Sequence, residues 1–205
     1  MDIPLLYANK DRKEILNFLR SHAFGLLISQ GGDGPEASHL PYTIESKDST
    51  LWVYSHMGKA NRHRRFLDTQ NNHLFIVQGV DHYISSTWYD HENVPTWNYI
   101  SVHLSGQIEI QQGEDALDNI RRLMDKMEQP GQSPRSMDQL NSDMVQREMH
   151  GLVAFRMTVN NIEAAKKLSQ NRDEKNYNNI IRELEALEYD QALKMAEEMR
   201  KIHPI

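Results

Sequence analysis

The sequence predicts an α+β protein in which short strands, joined mainly by tight turns, form most of the fold. About seven segments alternate between apolar and polar residues or are rich in β-branched and aromatic residues. Most of these segments follow one another directly, which favours antiparallel pairing and, with enough strands, closure into a barrel. Amphipathic segments at the start, between strands and at the end of the chain predict peripheral helices.

The first half of the chain predicts one helix followed by a meander of strands. Ile15, Leu16 and Leu19 recur at helical spacing, and Gly25 ends the helix. The cluster at 31–34 is rich in glycine and predicts a hairpin turn. The elements predicted here are a helix over 11–21, strands over 26–29, 36–44 and 51–56, a short helix over 59–68, and a strand over 74–78.

The second half predicts three strands and three helical regions. A polar break at 79–81 separates a strand over 82–86 from the one before it, and an aromatic, irregular loop follows at 88–95. The remaining elements are strands over 98–111 and 152–159, helices over 115–128 and 142–150, a loop over 130–134, and a helical region over 178–202 with a break near Tyr189 and Asp190.

Composition excludes several classes of protein. The chain has 205 residues, a net charge of −6 and no cysteine, so disulfides, thiol nucleophiles and cysteine-bound metal centres are excluded. No segment approaches the ~20 apolar residues of a membrane span, and the N-terminus lacks the pattern of a secretion signal. We therefore expect a cytoplasmic protein. Its acidity gives no general attraction to nucleic acid.

A basic cluster follows the third predicted strand. Lys59, Arg62, Arg64 and Arg65 place four positive charges within seven residues. A strand end that leads into a helix offers free backbone N–H groups and the positive end of the helix dipole, which suits a phosphate. The alternative is a solvated basic surface of the helix.

Three further segments allow more than one interpretation. His39 is a buried core histidine, a hydrogen-bonding partner of a ligand, or a metal ligand. The aromatic loop around Trp88 and Trp97 is a ligand platform, a subunit interface or a loop that simply packs against the barrel. The polar segment 167–172 is a helix cap, with Asn171 or Asp173 as the capping residue, or a polar lobe over a ligand.

Motifs for several common activities are missing from the sequence. It has no HExxH zinc motif, no GxSxG nucleophile elbow, no GxGxxG dinucleotide fingerprint and no P-loop. Ten histidines occur, but none forms a spaced pair with a nearby carboxylate on a helix, so no metal site is indicated. The residues alone identify no catalytic group.

An ordered set of motifs along nearly the whole chain resembles the PaiB-like family of FMN-binding negative transcriptional regulators. The most specific are Val94-Pro95-Thr96-Trp97-Asn98-Tyr99 and Lys167-Leu168-Ser169-Gln170-Asn171-Arg172. The others are Phe24-Gly25-Leu26-Leu27, Ala37-Ser38-His39-Leu40-Pro41, the segment 56–61, His82-Tyr83-Ile84-Ser85, Trp88-Tyr89 and His103. The resemblance implies a split β-barrel like that of pyridoxamine-phosphate oxidases, with an FMN-binding domain over 1–160 and C-terminal polar loop and helices over 161–205.

The resemblance also implies a set of cofactor-binding residues. It places the FMN phosphate near Ser55, Lys59 and Asn61, with Arg62 as support, and His56 belongs to the same segment. Ser38, His39 and Leu40 would line the flavin from the neighbouring strand and offer backbone amides to its polar edge. Gln78 would reach the ribityl chain or the ring, and Trp97 and Asn98 would approach from a partner subunit.

The family implies a homodimer with FMN at the subunit interface and a role as a negative regulator of transcription. DNA is a further partner that this role implies, although the sequence has no helix-turn-helix pattern and no basic arm. Regulation through a partner protein or a metabolite is an equal alternative. A flavin-dependent oxidoreductase and a haem-binding split barrel are the other functions that such a fold allows.

Overall fold

A computed structural model describes residues 1–67, 71–128 and 135–202. Within these residues, six antiparallel strands pair in the order β1-β2-β3-β6-β5-β4, and β4 pairs with β1 to close the sheet. The strands are β1 (Phe24–Gly31), β2 (Gly34–Lys47), β3 (Thr50–Gly58), β4 (Asn72–Ile84), β5 (Thr96–Gln111) and β6 (Leu152–Lys167). This confirms the predicted α+β class and split-barrel fold.

Five α-helices accompany the strands in the described residues: α1 (Arg12–Ser21), α2 (Gly113–Met127), α3 (Ser142–Met149), α4 (Glu174–Ala186) and α5 (Asp190–Ile202). Short 3-10 helices occupy Leu5–Tyr7, Arg62–Phe66, Ser86–Trp88 and Met137–Gln139. No helix in the described ranges is long and apolar enough to cross a membrane.

Three predicted elements differ from the structure. The helix predicted over 59–68 is only the 3-10 turn Arg62–Phe66 within the described residues. The break predicted at 79–81 does not exist, because β4 continues through it, and the predicted strands over 74–78 and 82–86 are therefore one strand. The last strand runs eight residues beyond the predicted end at Val159, to Lys167. The loop predicted over 130–134 lies outside the described residues.

The described chain forms two compact units. Unit 1 contains residues 1–15, 78–102 and 163–202, and unit 2 contains the described parts of 16–77 and 103–162. Strands β4, β5 and β6 contribute residues to both units. The family-derived domain boundary at 160 and 161 stays a prediction.

Apolar faces of strands and helices form the interior of each unit. In unit 2, Tyr42 and Phe75 are fully buried and meet edge to face with ring centroids 5.2 Å apart. The Tyr42 hydroxyl donates to the carbonyl oxygen of Leu19 on α1, at 2.8 Å. In unit 1, α4 and α5 pack as a helical hairpin, and the Tyr177 hydroxyl donates to the carbonyl oxygen of Met199. The break predicted near Tyr189 separates these two helices.

Candidate functional site

Strand β2 changes its pairing partner after Pro41. Residues 34–41 of β2 pair with β1, whereas residues 42–47 pair with β3. On β3, the pairing with β2 ends at Ser55, and within the described residues the strand continues to Gly58 paired with β6 alone. The two strands therefore diverge beyond Pro41 and Ser55. We call the opening between residues 38–41 and 56–58 the split.

The two edges of the split have backbone groups that no described strand pairs. A proline suits the point of divergence because it has no N–H to donate to a ladder. The Ser55 hydroxyl donates to the carbonyl oxygen of Pro41 at 2.7 Å, which fixes the two strands where they part. Backbone N–H and C=O groups need partners, so these edges are suited to a ligand with its own donors and acceptors.

Side chains of β2 alternate between the interior and the outer surface at the split. Ser38 and Leu40 are buried, whereas His39 is exposed and its ring lies nearly parallel to that of Phe24, with centroids 6.1 Å apart. The interpretation of His39 as a buried core histidine is therefore wrong. Exposure leaves its imidazole free to contact a ligand or a second chain.

Asn61 ties the loop after β3 back to β2. Its Oδ1 accepts from the backbone N–H of His63 at 3.0 Å, as the N-cap of the 3-10 helix. This orients the amide so that Nδ2 donates to the Ser38 hydroxyl, also at 3.0 Å. The predicted residues Ser38 and Asn61, 23 positions apart, are thus brought into direct contact.

The basic cluster divides into paired and unpaired charges. Arg62 contacts both carboxylate oxygens of Glu36, at 3.1 and 3.0 Å. Within the described chain, Lys59 has no ion pair, and the same holds for the exposed Arg64 and Arg65. Arg62 is therefore neutralised locally, and Lys59 is the predicted phosphate ligand whose charge is still available.

His56 has an unsatisfied polar atom beside the split. Its side chain is half-buried, and its buried Nδ1 has no hydrogen-bond partner among the described residues. Burial lowers the pKa of His56 below its ordinary value, so the ring is neutral at pH 7. Unpaired buried polar atoms are rare, so the hydrogen-bonding capacity of this atom is left unused by the described residues.

His63 is a buried residue that the sequence did not single out from the basic cluster. It is 1% exposed, and its Nδ1 lies 2.9 Å from the Ser38 hydroxyl oxygen. Its Nε2 lies 2.8 Å from the hydroxyl oxygen of Ser29, which in turn lies 2.7 Å from Nδ1 of His73. Burial lowers the pKa of His63. These contacts join residues 25 to 44 positions apart, so no local pattern could have indicated them.

The three remaining predicted residues belong to unit 1. Gln78 is exposed on β4, and Trp97 is half-exposed while its Nε1 donates to Asp81 at 3.0 Å. Asn98 is fully buried, where its Oδ1 accepts from Ser169 at 3.0 Å and its Nδ2 contacts the Met199 sulfur. The amide of Asn98 is therefore engaged inside its own unit. Roles of these three residues at a cofactor stay predictions.

The polar segment 167–172 leads into helix α4. Asp173 caps this helix by accepting from the backbone N–H of Asn176 at 3.0 Å, which confirms one of the two predicted capping residues. Ser169 is buried with a φ of 63°. Arg172 places its guanidinium 4.8 Å from the ring centre of Tyr89, which anchors the aromatic loop to this segment.

Comparisons with known proteins agree with this fold. The family model described as "Putative FMN-binding domain" matches residues 1–161. Protease synthase and sporulation protein PAI 2 of Bacillus subtilis is 35% identical over 199 residues, which cover 97% of this chain and 96% of that protein. An uncharacterized yeast protein, YKL070W, is 32% identical over 97 residues, 42% of this chain and 57% of its own.

Solved structures share the fold at low sequence identity. The flavocytochrome Anf3 from Azotobacter vinelandii aligns with a TM-score of 0.62 and 18% identity, over 84% of this chain and 75% of its own. An FAD- and haem-binding protein from Mycobacterium smegmatis aligns with a TM-score of 0.60 and 15% identity, over 83% and 78%. The chain belongs to the FMN-binding domain family, with PAI 2 as a relative along nearly its whole length and FMN as its cofactor.

Proposed function

We propose that this chain is a homodimeric, FMN-binding regulator of gene expression, and that the split holds the flavin. The observation that carries the proposal is the divergence of β2 and β3 beyond Pro41 and Ser55, with Lys59, which has no ion pair among the described residues, at the exit of β3. The relation to PAI 2, whose name refers to protease synthase and sporulation, supports the regulatory role.

The residues at the split fit the two chemical parts of FMN. A flavin has a planar ring with amide-like donors and acceptors on one edge, which suits the open backbone edge at 38–41 and the unsatisfied Nδ1 of His56. A phosphate needs a cation with free donors, and the Lys59 ammonium has three. Because Arg62 already pairs with Glu36, we assign the phosphate to Lys59 with Asn61 nearby.

Exposed aromatic residues in each unit support the homodimer. In unit 2, Phe24 is 58% exposed beside His39, on the outer surface of β1 and β2. In unit 1, Trp97 and Tyr83 are 50% and 45% exposed, with ring centroids 5.9 Å apart. Aromatic residues are enriched in the cores of protein interfaces. These surfaces are our candidates for contact between two copies.

The net charge of the chain favours regulation through a metabolite or a partner protein over direct binding to DNA. A net charge of −6 gives no general attraction to DNA. A gel-shift titration against promoter fragments at low salt, with a DNA-binding protein as the positive control, separates this kind of regulation from direct binding. Retardation at protein concentrations near the cellular level would establish DNA as a partner.

The cofactor assignment is tested by native purification followed by absorbance and light scattering. We expect flavin absorbance that heating releases into solution, strong quenching of added FMN fluorescence, and the mass of a dimer. A colourless protein that leaves FMN fluorescence unchanged contradicts the site, and a monomeric mass in the presence of FMN contradicts the dimer. The Phe24→Ser variant should lower the dimer fraction, with the exposed Leu193→Ser variant as its control.

A further inference from the structure

Unit 2 contains a cavity of about 890 Å³ that the sequence did not indicate. It lies among α2, the 3-10 helix Met137–Gln139, α3 and the first residues of β6. Its apolar wall includes Leu117, Met137, Val145, Met149, Leu152 and Val153. This volume is at the upper end of the ~300–1,000 Å³ typical of small-molecule sites, which are mostly apolar with a few placed polar groups.

The charged groups that line the cavity are two cations, Lys59 and Arg121, and two carboxylates, Glu114 and Asp138. Arg121 contacts Glu114 and Asp138 at 3.8 and 3.7 Å, and it also pairs with Asp118. Arg121 is therefore fully engaged by carboxylates, which outnumber it three to one. Lys59, at the edge of the cavity, has no ion pair in the described chain. A ligand with an apolar body and one negative charge matches the apolar wall and the ammonium of Lys59.

We propose that this cavity binds an apolar carboxylic acid, with its hydrocarbon part against α2 and α3 and its carboxylate at Lys59. The coupling to FMN rests on the proposed function, because Lys59 is also the residue that we assign to the FMN phosphate. Two anions that share one ammonium compete for it, so the acid and FMN lower each other's affinity, and the coupling is reciprocal. In such a regulator, binding of the acid lowers the affinity for FMN and so changes the fraction of protein that carries the cofactor.

The test uses the full chain, freed of flavin, with decanoate as the probe and decanol as its uncharged match in calorimetric titrations. We expect saturable binding of decanoate that is about tenfold or more tighter than that of decanol, the size of one charge-assisted contact. The Lys59→Met variant should remove this preference. The Lys13→Met variant, which changes an exposed lysine of α1, should keep it.

Two further variants test the position of the hydrocarbon part. Val145→Trp and Leu117→Trp each fill the cavity from a different helix, and both should abolish decanoate binding. Circular dichroism identifies a variant that does not fold. In that case the Lys59→Met variant still tests the proposal, because Lys59 is exposed and its substitution does not disturb the interior. Decanoate binding that survives both tryptophan substitutions in folded protein would overturn the proposal.

Flavin competition separates this cavity from the cofactor site. Saturating FMN should weaken decanoate binding, whereas riboflavin, which has the ring but no phosphate, should leave it unchanged. Displacement of decanoate by riboflavin would mean that the cavity is the ring site itself, and the proposal would be wrong. Absence of saturable decanoate binding to the dimeric protein would also refute it, and this holds even if the cause is a second copy that covers the cavity. Decanoate binding in a protein that binds no FMN would refute only the proposed function.

Discussion

His63 and Ser29 meet in the interior of unit 2, where the imidazole Nε2 lies 2.8 Å from the hydroxyl oxygen. The other ring nitrogen lies 2.9 Å from the Ser38 hydroxyl, and Ser29 continues the chain to His73. A neutral imidazole has one donor and one acceptor, and a hydroxyl can serve either role. The hydrogen bonds are therefore satisfied with His63 neutral, and protonation would place a positive charge on a ring that is buried away from water.

Stability should decrease as the pH falls below about 6.5, the ordinary pKa of histidine. Burial lowers the folded-state pKa of both His63 and His56, so the unfolded chain takes up protons first as the pH falls. Their contribution is fully present above that value and is lost between it and the lower folded-state pKa. Each group adds at most about 1.4 kcal/mol per pH unit to the slope. Urea unfolding at a series of pH values measures this.

The His63→Gln variant isolates the contribution of one ring. Glutamine retains a donor and an acceptor but does not titrate, so the free energy of unfolding should depend less steeply on pH than in the parent chain. His150→Gln is the matched control, because His150 is exposed on unit 2. Identical slopes for the parent chain and His63→Gln would show that His63 is not responsible.

Asn119 should tolerate loss of its side chain better than conversion to aspartate. It is 1% exposed, and its Nδ2 donates to the carbonyl oxygens of Ser55 and Phe155, at 3.1 and 2.9 Å. Asn119→Ala removes these two hydrogen bonds from a buried site, at a cost of about 1–3 kcal/mol. Asn119→Asp also sets a buried negative charge against the two carbonyl oxygens, so it should cost more at pH 7 and recover partly when acid neutralises the carboxyl. Equal losses in urea unfolding at pH 7 would contradict this reasoning.

Gly106 should be intolerant of alanine because β6 passes directly over it. A Cβ at this position of β5 would lie 2.1 Å from the carbonyl oxygen of Thr158 and 2.8 Å from its carbonyl carbon. Both atoms are backbone, so the clash needs a shift of the strand, and a loss on the order of 3 kcal/mol is expected. Gly32→Ala, with open space around its Cβ, should change stability by less than about 0.5 kcal/mol. Thermal unfolding of the two variants makes the comparison.

Elements with one buried face were predictable from the sequence, whereas their ends were not. Residues 98–111 alternate, and the structure has β5 there with Ile100, Val102 and Leu104 buried. The apparent break at 79–81 was misleading, because glycine and aspartate lower strand propensity without preventing a strand that its neighbours hold in place.

The candidate site was predictable in its residue types but not in its pairings. The motifs brought out Ser38, Lys59 and Asn61, and the structure adds that Ser38 and Asn61 are in contact. Nothing local indicated that Glu36, 26 residues before Arg62, neutralises it. Such long-range pairings depend on strand register, which a single sequence does not specify outside its turns.

Loss of the Lys59 charge should weaken FMN binding without unfolding the protein. Lys59 is exposed and forms no ion pair in the described chain, so Lys59→Met removes a phosphate contact at little cost in stability. We expect a loss of about 1.5–3 kcal/mol in FMN affinity, the range of a charge-assisted hydrogen bond. Arg62→Met is the matched comparison, because its guanidinium is 78% exposed and bound to Glu36, and it should cost much less. Fluorescence titrations of FMN against both variants decide the assignment. If Arg62→Met is the more damaging of the two, then the Glu36 pair opens on binding and the phosphate lies at Arg62.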